Sequence, residues 1–131
     1  MIQAHLMGGK IVSNNQEAFR LHEHTLFGEK KEEVIEYAPI ESLFLLQEKK
    51  MQLLQGKKPL SFAALLKKIR KQDKKIETKL VAFTDLKKRG YIVKTALKFG
   101  AEFRVYEKGV KPGEDHARWI LYTVTEHDAL H

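Results

Sequence analysis

Tyr106 and His116 are separated by only nine residues, Glu107–Asp115, and that interval carries Lys108 and Lys111. A phenol, an imidazole and ammonium groups at one rim suit phosphoryl chemistry on RNA. One group takes the proton from a ribose 2′-hydroxyl, another protonates the departing 5′-oxygen, and a cation stabilises the charged phosphorane. Histidine suits the acid role because its pKa lies near the working pH. Tyrosine, with an ordinary pKa of about 10, is a poor base unless its surroundings lower that value. The pair alone is a weak signal, because a strand tyrosine and a polar loop histidine with no chemistry is the commoner arrangement.

The elements around the pair decide whether it can converge. Phe103 and Val105 alternate with Arg104 and Tyr106, a half-buried strand pattern. Lys108–Asp115 is turn chemistry, with Gly109, Pro112 and Gly113. Ala117–Thr125 returns as a strand, with Trp119, Leu121 and Thr123 opposite Ile120, Tyr122 and Val124. If the two strands pair as a hairpin, Tyr106 and His116 emerge at the same end. Tyr91-Ile92-Val93 offers a further strand of this unit.

Upstream, the pattern predicts strands over the first 38 residues, with a turn at Gly8-Gly9 and a strand through Ala18–His22 closed by Phe27-Gly28. Val34–Tyr37 is a further short strand. A helix is predicted from Pro39, its apolar positions running through Ile40, Leu43, Phe44, Met51 and Leu54 to a stop at Gly56. Ser61 caps a second helix whose apolar face is Phe62, Leu65, Leu66 and Ile69 and whose other face is Lys67, Lys68, Arg70 and Lys71. A third spans about Lys75 to Arg89 and stops at Gly90. The reading is α+β: an N-terminal strand and helix unit over residues 1–73, then a β-rich unit over 74–131.

Composition bounds the function. The chain has 131 residues, 43% hydrophobic and 31% charged, the balance of a globular domain. It has no cysteine, which removes disulfides, thiol catalysis and cysteine-ligated metal or iron–sulfur sites. Its near-apolar stretches, Ser42–Leu46 and Phe62–Leu66, are far shorter than the 18 or so residues of a membrane span. With no secretory pattern at its start, a cytoplasmic protein away from membranes is expected. The net charge is +7, concentrated in residues 49–75, where ten Lys/Arg face one acid. That stretch reads as a surface for a polyanion, or as solvated helix faces.

Other chemistry is thinner. His22 and His24 alternate on the predicted strand and could touch a metal, but no third ligand has suitable spacing. His127 and His131 sit in a polar tail. No phosphate-cradling glycine loop, paired-carboxylate site or nucleophilic serine stands out. Neither a metal nor a cofactor is expected.

The run GYIVKTALKFGAEFRVYEKG (Gly90–Gly109), continued by KPGEDHARW (Lys111–Trp119), strongly resembles the archaeal tRNA-splicing endonucleases. KPLSFAALL (Lys58–Leu66) and FTDLKKRGY (Phe83–Tyr91) resemble the same family in the same order. The resemblance covers roughly residues 8 to 128. It implies a metal-independent endoribonuclease that cuts precursor tRNA at the exon–intron junctions of a bulge-helix-bulge, leaving a 2′,3′-cyclic phosphate and a 5′-hydroxyl. It makes Tyr106 the general base and His116 the general acid, and it implies a homo- or hetero-oligomer. The family's third catalytic residue, a lysine on a later helix, has no counterpart before His131, and Lys108 and Lys111 lie in the wrong segment to replace it. The lysine is then expected from a C-terminal segment or another endonuclease subunit. The alternative is a non-catalytic, structural or RNA-binding subunit that keeps Tyr106 and His116. A smaller departure is Ala96, where the family commonly has glycine.

Overall fold

A computed structural model describes residues 1–95, 102–107 and 119–122. His116, Lys108, Lys111, Ala96, His127 and His131 lie outside the described residues, as do both flanks of the predicted strand 117–125. The described chain is α+β, with two sheets and four helices.

The first sheet has six strands: β1 (Ile2–Met7), β2 (Lys10–Ser13), β3 (Glu29–Lys31), β4 (Val34–Tyr37), β5 (Met51–Gln55) and β6 (Lys58–Pro59). Their order is β3-β4-β2-β1-β5-β6. Only β1 and β5 pair in parallel, Ile2 opposite Met51 and Ala4 opposite Leu53; the other neighbours are antiparallel. Gly8 and Gly9, with φ of 57° and 78°, make the two-residue turn between β1 and β2. Two positive φ values in succession are what such a hairpin turn requires.

Two sequence expectations are corrected here. Residues 18–22 are not a strand. They belong to helix α1 (Gln16–Thr25). Ala18 is buried, and Leu21, His22 and Thr25 are half-buried on the same side. Apolar residues at positions 18, 19 and 21 fit a short alternation as well as a helical face, so period alone could not separate the two. The second correction concerns the helix expected to run from Pro39 to Gly56. Helix α2 (Pro39–Gln47) ends early, at Lys49 in the left-handed region with φ 59°. Met51 and Leu53 then alternate with exposed Gln52 in β5. The i, i+3 spacing of Met51 and Leu54 was a coincidence inside a period-2 segment, and Gly56 turns β5 into β6.

The later helices follow their signals. In α3 (Phe62–Arg70), Ser61 Oγ accepts from the Ala64 amide at 3.1 Å, and Leu65 and Ile69 are buried. In α4 (Ile76–Lys88), Ile76, Leu80 and Phe83 point inward. Asp73, between these helices, pairs with Lys79 at 2.6 Å with both side chains under a tenth exposed. Its second oxygen accepts from the Lys75 amide.

The second sheet has strands β7 (Ile92–Lys94), β8 (Glu102–Tyr106) and β9 (Trp119–Tyr122), in that order and antiparallel. One hydrophobic cluster serves both sheets, from Ile2 through Phe83 to Val105. Its centre is a set of aromatic rings. Phe27 stacks on Phe44 at 5.6 Å, and fully buried Phe83 meets Phe44 and Phe103 edge-on at 5.5 and 5.9 Å. Each such pair adds about 0.5–1.5 kcal/mol beyond its buried area. These contacts carry the core from α2 of the first unit into β8 of the second.

Candidate active site

Strand β8 is built by its alternation. Phe103 and Val105 are 1% and 0% exposed and belong to the shared core, while Arg104 on the opposite face is exposed. Tyr106 ends the strand on the Arg104 face, yet it too is buried, at 7%. Its partner across the ladder is Ile92, at 9%. Neither residue belongs to the core cluster. Val93 and Val105, the next pair along, face the core. The Tyr106 ring is therefore held against the sheet face that looks away from the core.

The β8–β9 pairing is antiparallel, with Val105 opposite Trp119 and Arg104 opposite Ile120. The expected strand–loop–strand unit is thus present at its base. Tyr106 stands where the connection leaves β8. His116 lies in that connection, outside the described residues, so its distance from Tyr106 forms no part of the geometry here.

The histidines of the first unit do not form a metal site. On α1, His22 and His24 are two residues apart and so point about 200° apart around the helix. His22 Nδ1 meets the carbonyl of Phe27 at 3.0 Å, while His24 is exposed. Among the described residues, no group of three or more His, Asp or Glu is arranged to hold a metal ion. None of the described helices is long and apolar enough to cross a membrane.

The basic stretch is split by the fold. Lys67, Lys68 and Lys71 are exposed on α3 and its end, and Arg70 there is engaged with Glu77 at 2.7 Å. Lys49 and Lys50 sit at the other end of the stretch, where with Arg20 and His24 they line an open cleft of about 560 Å³ beside α1. Cations distributed this way create a broad positive surface rather than one chelating point.

Sequence reasoning missed a third feature, a buried polar cluster at the junction of the two sheets. Glu41 is 3% exposed. Its Oε1 accepts from the Ala38 amide at 2.9 Å and its Oε2 from the Gly28 amide at 2.8 Å. Lys94, the last residue of β7, reaches into this cluster. Its Nζ donates to the carbonyls of Leu26 and Gly28 at 2.6 and 2.9 Å and stands 3.7 Å from Glu41 Oε2. Lys87 Nζ lies 4.6 Å from the centre of the Phe27 ring and donates to the Tyr91 carbonyl at 3.1 Å. Burial lowers the Lys87 pKa to about 8. Glu41 opposes that shift, and Lys94 and Lys50 add to it. The one available signal was Glu41 three residues after Ala38, the position from which a carboxylate returns to a helix start.

Comparison with known proteins points one way. Residues 2–66 match the family model for the tRNA intron endonuclease N-terminal domain, and residues 76–131 match that for the tRNA intron endonuclease catalytic C-terminal domain. A protein of Thermococcus onnurineus named tRNA-splicing endonuclease is 36% identical over 126 residues, covering 95% of this chain and 72% of the relative. A protein of the same name from Pyrococcus furiosus is 34% identical over 131 residues, covering 99% and 75%. Another, from Methanothermobacter thermautotrophicus, is 34% identical over 117 residues, covering 87% and 66%.

Proposed function

The chain belongs to the tRNA intron endonuclease family, and from that premise we propose that it cleaves precursor tRNA at bulge-helix-bulge exon–intron junctions without a metal ion. In this reading residues 1–73 form the N-terminal domain and 74–131 the N-terminal part of the catalytic domain. Tyr106, acting as the phenolate, accepts the proton of the ribose 2′-hydroxyl next to the scissile phosphate. The 2′-oxygen attacks phosphorus, and His116 protonates the departing 5′-oxygen. The products are a 2′,3′-cyclic phosphate and a 5′-hydroxyl, with the proton gained by Tyr106 balanced by the one lost from His116. A lysine from a C-terminal segment or a neighbouring subunit stabilises the phosphorane. The exposed cations of the 49–75 stretch hold the RNA by its phosphates.

The observation that carries the reading is the position of Tyr106. It ends β8, buried and outside the shared core cluster, and His116 follows it in the connection to β9. A fixed ring meets a bound 2′-hydroxyl with little further loss of freedom, which is where positioned acid–base groups gain their rate. Single-turnover cleavage of bulge-helix-bulge RNA in EDTA tests it, with the lysine-bearing segment or subunit present. His116→Ala is expected to slow cleavage by about 10²–10⁴ while RNA affinity stays within a factor of about two. Full activity in the variant, or an absolute need for magnesium, would overturn the mechanism.

A further inference from the structure

We propose that Lys94 is a positioning residue: through its bonds to Leu26, Gly28 and Glu41 it fixes the strand pair that carries Tyr106 against the N-terminal unit. The inference rests on the reading of Tyr106 given above, but its structural half stands without it.

Strand β7 is only three residues long, so its ladder to β8 supplies few hydrogen bonds. The register places Ile92 opposite Tyr106 and Lys94 opposite Arg104. A shift of β7 therefore carries Tyr106 with it. The strand is tied at both ends. At its start, the Tyr91 amide donates to Leu86 and the Tyr91 carbonyl accepts from Lys87 Nζ. At its finish, Lys94 crosses to the first unit, where two backbone carbonyls accept its ammonium protons and the Glu41 carboxylate stands at ion-pair distance.

Those acceptors are themselves immobile. Leu26 caps α1 in the left-handed region, φ 61°, with its amide bonded to the His22 carbonyl. Gly28 has φ 78°, and a β-carbon there would collide with Ile35 Cγ2. Glu41 is held by two backbone amides. The receiving groups thus have backbone restraints of their own, and one carboxylate is present to balance the charge of Lys94. Contacts such as Phe83 on Phe103 also join the sheets, but apolar burial is non-directional and tolerates sliding. Hydrogen bonds to fixed carbonyls do not. A displacement of about 1 Å at a reacting group can cost on the order of a hundredfold in rate.

The test is Lys94→Met, which keeps the stem and removes the ammonium, studied in the full chain where circular dichroism shows it folded. Two readouts are taken. Hydrogen exchange of the Arg104–Tyr106 amides should quicken by about tenfold or more as the strand loosens. Single-turnover cleavage of bound RNA, with the lysine-bearing segment or subunit present, should fall about 10–100-fold with the RNA dissociation constant unchanged. Lys94→Arg restores a cation with donors and should recover part of both losses. If the Met variant does not fold, Glu41→Gln, which leaves the Leu26 and Gly28 carbonyls but removes the charge partner and one of the two oxygens that accept backbone amides, should show the same two changes. Unchanged exchange in a folded variant overturns the pinning. Quickened exchange with an unchanged cleavage rate overturns the positioning role. Failure of the unmodified protein to cleave would instead strike the proposed function, and the exchange arm would still decide the pinning.

Discussion

The exposed lysines of α3 and three inward-lying lysines of the α4–β7 segment are one residue type in opposite environments. Lys67, Lys68 and Lys71 are exposed, and among the described residues none shares an ion pair as Arg70 does with Glu77. Lys79, Lys87 and Lys94 lie inward, each with a named partner: Asp73, the Tyr91 carbonyl, and the Leu26–Gly28–Glu41 cluster. An exposed cation acts at a distance, summed with its neighbours and screened by salt. A dehydrated cation acts at one point and is costly to strand. Net charge therefore describes the first group and says nothing of the second. In the function proposed above, the first group meets the RNA, and the second ties elements of the fold to one another.

Breaking the buried side of the comparison should give the largest stability change. Lys79→Met leaves the Asp73 carboxylate buried without its cation, and a loss of about 3–5 kcal/mol is expected. Urea titration checks this; a loss below about 1 kcal/mol would mean that water reaches Asp73. The exposed side should respond in the reverse sense. Changing Lys67, Lys68 and Lys71 together to Ala should leave stability within about 0.5 kcal/mol per site. RNA binding should weaken, and the slope of log affinity against log salt should flatten by up to about three. An unchanged slope would return these lysines to the role of a solvated face.

A smaller effect sharpens the distinction through pH. Burial, as the main cause, holds Lys87 at about 8 against an ordinary 10.5. The folded state therefore releases this proton first. Between about pH 8 and 10 the unfolded chain holds more protons, so the Lys87 contribution to stability rises with pH across that window. Melting temperatures of the unmodified protein and Lys87→Met, compared at pH 7 and 9.5, should show the unmodified protein gaining on the variant. A difference independent of pH would mean that Lys87 is hydrated. Above pH 10 the raised pKa of buried Tyr37 works in the opposite direction, which limits the window.

How much of this was legible follows from how local each signal is. Helix α3 could be read because Ser61 and the spacing of Phe62, Leu65, Leu66 and Ile69 lie within nine residues. Strand β8 was legible from Phe103 and Val105, and its pairing with β9 from the turn residues between them. The end of α2 was not legible. No glycine or proline marks it; Lys49 takes the left-handed turn because backbone bonds from Lys49 to Leu46 and from Lys50 to Leu45 close it and β1 receives β5 in parallel. That partner is remote in sequence, as is Lys94 from Glu41. Nothing local separates Lys94 from the exposed lysines. The burial of Tyr106 was equally hidden, since its alternation with Arg104 suggested a shared solvent face.

The central claim is that Tyr106 supplies the base for a metal-independent cleavage. Tyr106→Phe removes the phenol oxygen and keeps the ring that packs beside Ile92, so the sheet should be undisturbed. The decisive measurement is the single-turnover cleavage rate of bulge-helix-bulge RNA in EDTA, for the variant and the unmodified chain, each with the lysine-bearing segment or subunit. The account predicts a fall of about 10²-fold or more with RNA affinity unchanged. A rate within about twofold of the unmodified enzyme would contradict it, because general-base catalysis cannot lose its base without a larger cost.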